Sequence, residues 1–318
     1  MRTICPLCEA TCGVRVTMEN GQPVAVRGDD QDIFSRGYIC PKGVALHELA
    51  SDPDRIREPM IREGESWRTV TWAEAFAAVD AGWKEIWKRY GKESLGVYLG
   101  NPSSHNLGIQ TYGFPLFKAL GTANFFSAST ADQMPKHVST GQLFGDGMSI
   151  AIPDINRTDY LLILGANPLE SNGSLMTAPD LPERLKDIQR RGGRIVVIDP
   201  RRTRTAKMAD AYFPIRPATD ALFLAAIVQC LFAEGRVVDG GAIELSDGID
   251  ALEKAVAPFT PEDVSSHCGI PAESIRAIAR ELSESPTAAI HARMGTTTQD
   301  YGTITSWLVD IIHILTGN

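Results

Sequence analysis

Hydrophobic positions along the chain follow two patterns, which predict a β-rich start and a longer α/β region. Near the amino terminus, polar and apolar residues alternate on both sides of Asn20-Gly21, which predicts a β-hairpin with a tight turn. Residues 159–164 and 194–199 are instead continuous apolar runs. Strands without alternation are buried on both faces, so these runs predict a parallel sheet between helix layers.

Helices are predicted between and after these strands. Thr71 and Glu74 have the spacing of a capping box and predict a helix that runs to about Tyr90. Further helices are expected at residues 181–191, 221–233 and 305–315. The recurring order of strand, loop and helix predicts doubly wound, Rossmann-like α/β domains.

Four of the six cysteines lie within the first forty-three residues, in the spacing C-x2-C-x3-C-x27-C: Cys5, Cys8, Cys12 and Cys40. The hairpin between them carries the chain out and back, so the fourth cysteine can return to the first three. This arrangement is typical of a [4Fe–4S] site, because each iron needs one protein sulfur. Structural zinc, which usually takes two C-x2-C pairs, and disulfides are the alternatives.

Composition and charge narrow the choice of partners. The chain has 31 basic and 39 acidic residues and a net charge of −8, which argues against a broad nucleic-acid surface. No apolar run reaches the length of a membrane span, and no secretory or twin-arginine signal precedes Cys5. We therefore expect a cytoplasmic protein with no nucleic-acid partner and no direct membrane insertion.

Ligands of parallel α/β sheets bind beyond the carboxyl ends of the strands. The loops expected there are residues 165–170, 199–204 and 215–220, and their chemistry suits a nucleotide. Glycine allows close backbone approach, Asp199 could accept ribose hydroxyls, arginines could bind phosphate, and Asp220 could accept two donors from a guanine edge. The alternative for the arginines is an ordinary solvated surface.

The cysteine spacing followed by Cys40-Pro41-Lys42-Gly43 resembles the opening of the molybdopterin oxidoreductases, which include formate dehydrogenases and nitrate reductases. The resemblance implies a [4Fe–4S] cluster, a bis-molybdopterin guanine dinucleotide cofactor and molybdenum or tungsten, with Lys42 between cluster and pterin. Ala218 departs from the family, which commonly has glycine there. The resemblance implies these cofactor-binding residues: Gly165, Asn167, Glu170, Asp199, Arg201, Thr203, Asp220 and Gly295.

Residues 124–145 resemble the segment that supplies the metal ligand in formate dehydrogenases and in cysteine-ligated nitrate reductases. Alignment on Pro135 places Asp132 where those enzymes have cysteine or selenocysteine, so the resemblance implies a carboxylate ligand. Gln133 replaces the histidine of formate dehydrogenases, which argues against formate as the substrate.

Two alternatives for this segment stay open. Ser127 or Ser129 could be the metal ligand, or Asp132 could be the N-cap of a helix with no metal nearby. His137 lies close to the segment and is a candidate for proton transfer.

The resemblance covers essentially the whole chain and implies three domains: residues 1–55 for the cluster, 56–150 with the metal-ligand segment, and an incomplete dinucleotide-binding domain at 151–318. We expect the amino-terminal part of a longer catalytic subunit. It would perform two-electron chemistry on a small-molecule substrate and pass electrons through the cluster to a redox partner protein or electron-transfer subunit. The rivals are an inactive scaffold subunit, as in respiratory complex I, and a nucleotide-binding protein with structural zinc.

Overall fold

The protein is a mixed α/β structure of two compact units. The computed structural model describes the backbone of all 318 residues and every side chain except those of Asn101 and Ser174. The units are Met1–Ala128 and Ser129–Asn318. In the described part of the chain, no helix combines the length and apolar character needed to cross a bilayer. The predicted fold class is confirmed, whereas the division into three domains stays a prediction.

The first unit contains three small sheets. One has the antiparallel order β1-β2-β3, a second pairs β4 with β5 antiparallel, and a third pairs β6 with β7 parallel. The strands are β1 Arg2–Ile4, β2 Gly13–Glu19, β3 Gln22–Gly28, β4 Met60–Glu63, β5 Ser66–Thr69, β6 Val97–Leu99 and β7 Phe125–Ser127. The α-helices are α1 Pro41–Val44, α2 Glu48–Ser51, α3 Trp72–Tyr90 and α4 Phe114–Leu120.

Two local predictions in this unit are confirmed. Strands β2 and β3 form the hairpin, and its turn has positive φ at both Asn20 (48°) and Gly21 (79°), as a type I′ turn requires. Helix α3 begins with the capping box. The Glu74 amide donates to Thr71 Oγ1 at 3.3 Å, and the Thr71 amide donates to Glu74 Oε2 at 2.8 Å.

The second unit is built on one parallel sheet with the order β10-β9-β8-β11. Its strands are β8 Tyr160–Leu164, β9 Arg194–Ile198, β10 Ala211–Phe213 and β11 Ala288–Ala292. Its α-helices are α5 Ser129–Asp132, α6 Met134–Phe144, α7 Pro168–Ser171, α8 Leu181–Arg190, α9 Arg204–Met208, α10 Asp220–Ala233, α11 Ile249–Val256, α12 Pro261–Cys268, α13 Ala272–Glu284, α14 Met294–Thr297 and α15 Gly302–Thr316.

Helices cover both faces of this sheet, as the unbroken apolar runs predict. On one face, Leu162 and Ile198 pack in a cluster with the buried residues of α10, α13 and α15. On the other face, Leu161 and Val197 pack against the apolar side of α8. Every residue of β8 is buried. Cys230 and Cys268 lie in the first cluster, so burial explains both residues as small apolar side chains.

The strand order reverses next to β8. The chain moves outward from β8 through β9 to β10 and then returns to place β11 on the opposite side of β8. Loops that leave two neighbouring strands in opposite directions open a crevice at the carboxyl ends of those strands. The crevice between β8 and β11 is therefore where this sheet is built to bind a ligand.

Two histidines lie at β11, the buried His291 within the strand and the partly buried His313 against it. His313 of α15 donates from Nδ1 to the Val309 carbonyl at 2.8 Å and accepts the Ile290 amide at Nε2, at 3.0 Å. Both ring nitrogens are thus used by a neutral imidazole, and burial lowers its pKa. Burial also lowers the pKa of His291 to about 3.

We predict that acid destabilises the protein through these two histidines. The unfolded chain binds their protons below about pH 6.5, whereas burial opposes protonation in the folded chain. The free energy of unfolding should therefore fall by about 1.4 kcal/mol per pH unit through His291, and the lowered pKa of His313 should steepen the fall. Urea unfolding between pH 7.5 and pH 5 measures this slope. The double variant His291→Phe/His313→Gln should flatten it, whereas the exposed control His267→Asn should not. Equal slopes in wild type and double variant would contradict the assignment.

Candidate cofactor-binding site

The four amino-terminal cysteines lie around a small core in the first unit. Cys5 and Cys12 are buried, Cys8 and Cys40 are partly exposed, and all four thiols are unpaired. The Cys5 amide donates to the Cys12 carbonyl at 2.9 Å and closes the loop that carries three of the cysteines. Cys40 immediately precedes α1, whose first residue is Pro41.

The hairpin brings the fourth cysteine back by close backbone contact. A Cβ atom on Gly28 of β3 would lie 1.9 Å from the Gly37 carbonyl oxygen, so the two segments can approach only because Gly28 has no side chain. The Gly37 amide also donates to the Asp29 carbonyl at 3.0 Å. These contacts fix the start of the loop that leads to Cys40.

The four thiols lie in surroundings where bound positive charge would stabilise their thiolate forms. Burial is the main cause that raises the pKa of Cys5, and the Coulombic effects of Cys8 and Cys40 raise it further. Burial and the other three cysteines raise the pKa of Cys12 to about 11. Thiolates that repel one another in a buried site are stabilised when iron supplies positive charge. The residues present therefore fit an iron–sulfur cluster.

Two glycines meet at the crevice between β8 and β11 in the second unit. Gly165 follows β8 and Gly295 follows β11, and the Gly295 amide donates to the Gly165 carbonyl at 2.9 Å. A Cβ atom on Gly165 would lie 2.8 Å from the Gly295 Cα, and one on Gly295 would lie 2.7 Å from the Gly165 Cα. The two loops are thus in backbone contact at the edge where a ligand is expected.

Two carboxylates lie at the same edge. Asp220, the first residue of α10, is only 4% exposed and accepts a hydrogen bond from Gln299 Nε2 at 2.8 Å. Asp199 follows β9 and accepts the Arg201 amide at 2.8 Å. Burial is the main cause that raises the pKa of each carboxyl group, and Asp199 contributes to the increase at Asp220. Carboxylate oxygens of both residues can accept hydrogen bonds at this edge, and their contacts with a nucleotide stay predictions.

Other residues of the predicted nucleotide loops have structural partners. Asn167 Oδ1 accepts the Thr205 hydroxyl at 2.5 Å, and Thr203 caps α9 by accepting the Ala206 amide at 3.1 Å. Glu170 forms an ion pair with Arg204 at 3.7 Å, and Arg201 is exposed. These contacts shape the loops around the crevice. The cofactor contacts expected of Asn167, Glu170, Arg201 and Thr203 stay predictions.

The candidate metal-ligand segment is held by the loop that follows β11. Thr297 Oγ1 donates to the Asp132 carbonyl at 2.8 Å, and Arg293 Nη2 donates to Gln133 Oε1 at 3.1 Å. Both donors flank Gly295. The segment and the two glycine loops therefore belong to one connected site within the second unit.

Asp132 carries a buried carboxylate oxygen, Oδ1, that lacks a hydrogen-bond donor among the described residues. A buried carboxylate oxygen without a partner is costly, and a bound cation would stabilise it. The alternative role as a helix N-cap is wrong, because Asp132 ends α5, and α6 begins at Met134 with Gln133 as its N-cap.

His137 and the two serines have different surroundings. His137 Nδ1 donates to the Gly147 carbonyl at 2.7 Å, so Nε2 is the ring nitrogen that can accept a proton. Ser127 ends β7 in the first unit, and Ser129 begins α5 in the second.

Among the described residues, no three His, Cys, Asp or Glu side chains converge on a point that one metal ion could occupy.

Comparison with known proteins identifies the family of this chain. The family model for the molybdopterin oxidoreductase matches residues 55–318, and that for the molybdopterin oxidoreductase Fe4S4 domain matches residues 1–52. The chain belongs to the molybdopterin oxidoreductase family. The resemblance and the classes of its iron–sulfur and molybdopterin cofactors are thereby confirmed.

Individual relatives are similar along nearly the whole chain. It is 31% identical to a nitrate reductase of Symbiobacterium thermophilum, over 99% of this chain and 43% of the relative. It is 28% identical to formate dehydrogenase H of Escherichia coli, over 99% of this chain and 44% of the relative. Acetylene hydratase from Pelobacter acetylenicus shares the fold, with a TM-score of 0.83 and 22% identity over 99% of this chain and 43% of the hydratase. The chain spans less than half the length of these molybdopterin oxidoreductase relatives and of the hydratase.

Sequence reasoning missed the partners that assemble the site. Arg293, Thr297 and Gln299 all come from the loop after β11. Gln299 contacts Asp220 across 79 residues of sequence, and no local pattern indicates this pair.

The departure at Ala218 generates a stability prediction. Ala218 has a φ of 66°, in the left-handed region that glycine occupies without a steric penalty. Ala218→Gly should therefore increase the free energy of unfolding by about 1 kcal/mol, measured by urea denaturation. The control Ala277→Gly, within α13, should lower it by about 0.5–1 kcal/mol. A destabilising Ala218→Gly would show that this loop conformation carries no strain.

Proposed function

We propose that this chain binds a bis-molybdopterin guanine dinucleotide cofactor with molybdenum or tungsten and one [4Fe–4S] cluster. We further propose that it catalyses two-electron oxidation or reduction of a small molecule. One observation carries this proposal: the loop after β11 contacts both Gly165 at the sheet crevice and the Asp132–Gln133 segment. A nucleotide edge and a candidate metal ligand are thus joined by one loop.

The dinucleotide would occupy the crevice between β8 and β11. Gly165 and Gly295 pack backbone to backbone and form the floor of this edge without side chains. Asp220 would accept the donors of a guanine edge. Asp199 would accept ribose hydroxyls. Arg201 would offer its guanidinium group to phosphate. Donors from a bound guanine and ribose would offset the burial that raises the pKa of both carboxyl groups.

Asp132 would supply a carboxylate oxygen to the metal. When bound, the cofactor supplies a metal that changes its oxidation state by two electrons. An oxygen ligand is harder than cysteine sulfur and favours a high-valent metal. Gln133 cannot take up a proton as histidine can, so we propose a substrate other than formate. His137 Nε2 is the candidate proton acceptor near this segment.

Lys42 would influence electron passage from the cofactor to the cluster. Lys42 lies two residues after Cys40. Its positive charge partly opposes the increase in the pKa of the Cys5 thiol, so Lys42 is close enough to act on a cluster ligand. A fixed positive charge at this point favours the more negative, reduced form of either redox group. We propose that the electrons then leave for a redox partner protein or an electron-transfer subunit.

Asp132→Ala should remove one oxygen ligand from the metal. In the holoenzyme we expect unchanged iron and guanine content, loss of that oxygen contribution in X-ray absorption at the metal edge, and at least a 100-fold lower turnover with an artificial electron donor or acceptor. Asp132→Cys should replace the oxygen contribution with sulfur.

The matched control for this experiment is Asp146→Ala, because Asp146 is an exposed carboxylate just after the end of α6. It should leave the metal spectrum unchanged. If Asp132→Ala also leaves the oxygen contribution intact, Asp132 is not the ligand. Ser129→Ala is then the next variant to measure.

A further inference from the structure

A buried ion pair lies close to the candidate ligand. Lys136, in the first turn of α6, places its Nζ 2.7 Å from Oδ1 and 2.6 Å from Oδ2 of Asp310 in α15. The side chains are only 12% and 3% exposed. Both charges are therefore largely withdrawn from water, although they are 174 residues apart in the sequence.

Stability alone does not explain such a pair. Desolvation of two charges offsets most of their attraction, and apolar residues of similar volume often give equal or greater stability. Removing one partner is costly because the other charge remains buried. A buried pair does fix geometry, since each charge accepts only a partner at short distance. We therefore expect the ion pair to fix the position of α6 rather than to add stability.

Helix α6 needs such an anchor at its start. Its N-cap residue, Gln133, makes no side-chain capping hydrogen bond within the described structure. Pro135 in its first turn favours helical φ but does not attach that turn to the rest of the unit. Local sequence therefore starts the helix without holding its first turn in place. The Gln133 side chain instead accepts from Arg293.

Three contacts from residues 293–310 hold the five residues 132–136. Thr297 binds the Asp132 carbonyl, Arg293 binds the Gln133 side chain, and Asp310 binds Lys136. The first two hold the amino-terminal end of the segment, and the ion pair holds its carboxyl-terminal end. The direction of the Asp132 side chain depends on both ends being fixed.

We propose that Lys136 and Asp310 are positioning residues that hold Asp132 in its metal-binding orientation. The inference rests on the proposed function, because it requires Asp132 to be the ligand. Neither residue needs to contact the metal or the substrate. Loss of the pair should therefore change the metal environment while the fold and the bound cofactor persist.

The test compares holoenzymes that lack or keep the pair. Lys136→Met/Asp310→Leu removes both charges and leaves neither one unpaired, whereas Lys136→Arg keeps the pair. The control Lys84→Met/Asp80→Leu removes an exposed ion pair of 2.6 Å on α3. We would record X-ray absorption at the metal edge, the electron paramagnetic resonance signal of the half-reduced metal, and iron and guanine content.

We expect the Lys136→Met/Asp310→Leu variant to keep wild-type iron and guanine content. Its metal–oxygen contribution from Asp132 should fall at least twofold, and its resonance signal should split into more than one species. Lys136→Arg and the α3 control should match the wild type. A wild-type spectrum in the double variant would overturn the proposal, and so would loss of guanine, which would show a purely structural role.

Failure of the proposed function is distinguishable from this result. If the wild-type holoenzyme contains no molybdenum or tungsten, or if Asp132→Ala leaves its metal–oxygen contribution intact, the ligand assignment itself is wrong. The wild-type holoenzyme and Asp132→Ala are measured first, so a wrong ligand assignment is detected before the ion-pair variants are compared.

Discussion

The backbone contact between Gly165 and Gly295 is the constraint on which the second unit's binding edge depends. Either glycine would clash with the other through a Cβ atom, at 2.8 and 2.7 Å. The contact joins the loops of β8 and β11 where the strand order reverses. From that fixed point the β11 loop extends Thr297 to the Asp132 carbonyl and Gln299 to Asp220. One short segment after β11 thus contacts both Asp220 and the candidate metal ligand, Asp132.

Several buried polar groups in this protein are costly in the polypeptide alone. Asp220 is a buried carboxyl group with a raised pKa, Asp132 has an oxygen with no partner among the described residues, and Cys12 is a buried thiol with a pKa of about 11. Such groups cluster at functional sites, where a ligand or metal supplies the missing charge or donors.

Local patterns in the sequence predicted much of the fold, and long-range pairings explain what they missed. The hairpin at Asn20-Gly21 and the helix from Thr71 follow from residues close together in the chain, and the apolar run of β8 indicates its own burial. Lys136 and Asp310 are 174 residues apart, and no periodic pattern in the sequence indicates that they form a pair. The N-cap alternative for Asp132 failed because α5 ends at that residue, which its neighbours in sequence did not reveal.

We propose that one chain holds a cubane cluster and a metal carried by a pterin cofactor with two guanine dinucleotides. Elemental mass spectrometry of the anaerobically purified full-length protein, with release of its oxidised pterin and guanine nucleotide, measures this composition directly. We expect about four irons, one molybdenum or tungsten and two guanine nucleotides per chain. Iron without the heavier metal or the pterin would contradict this composition and would identify an electron-transfer or scaffold subunit of the same fold.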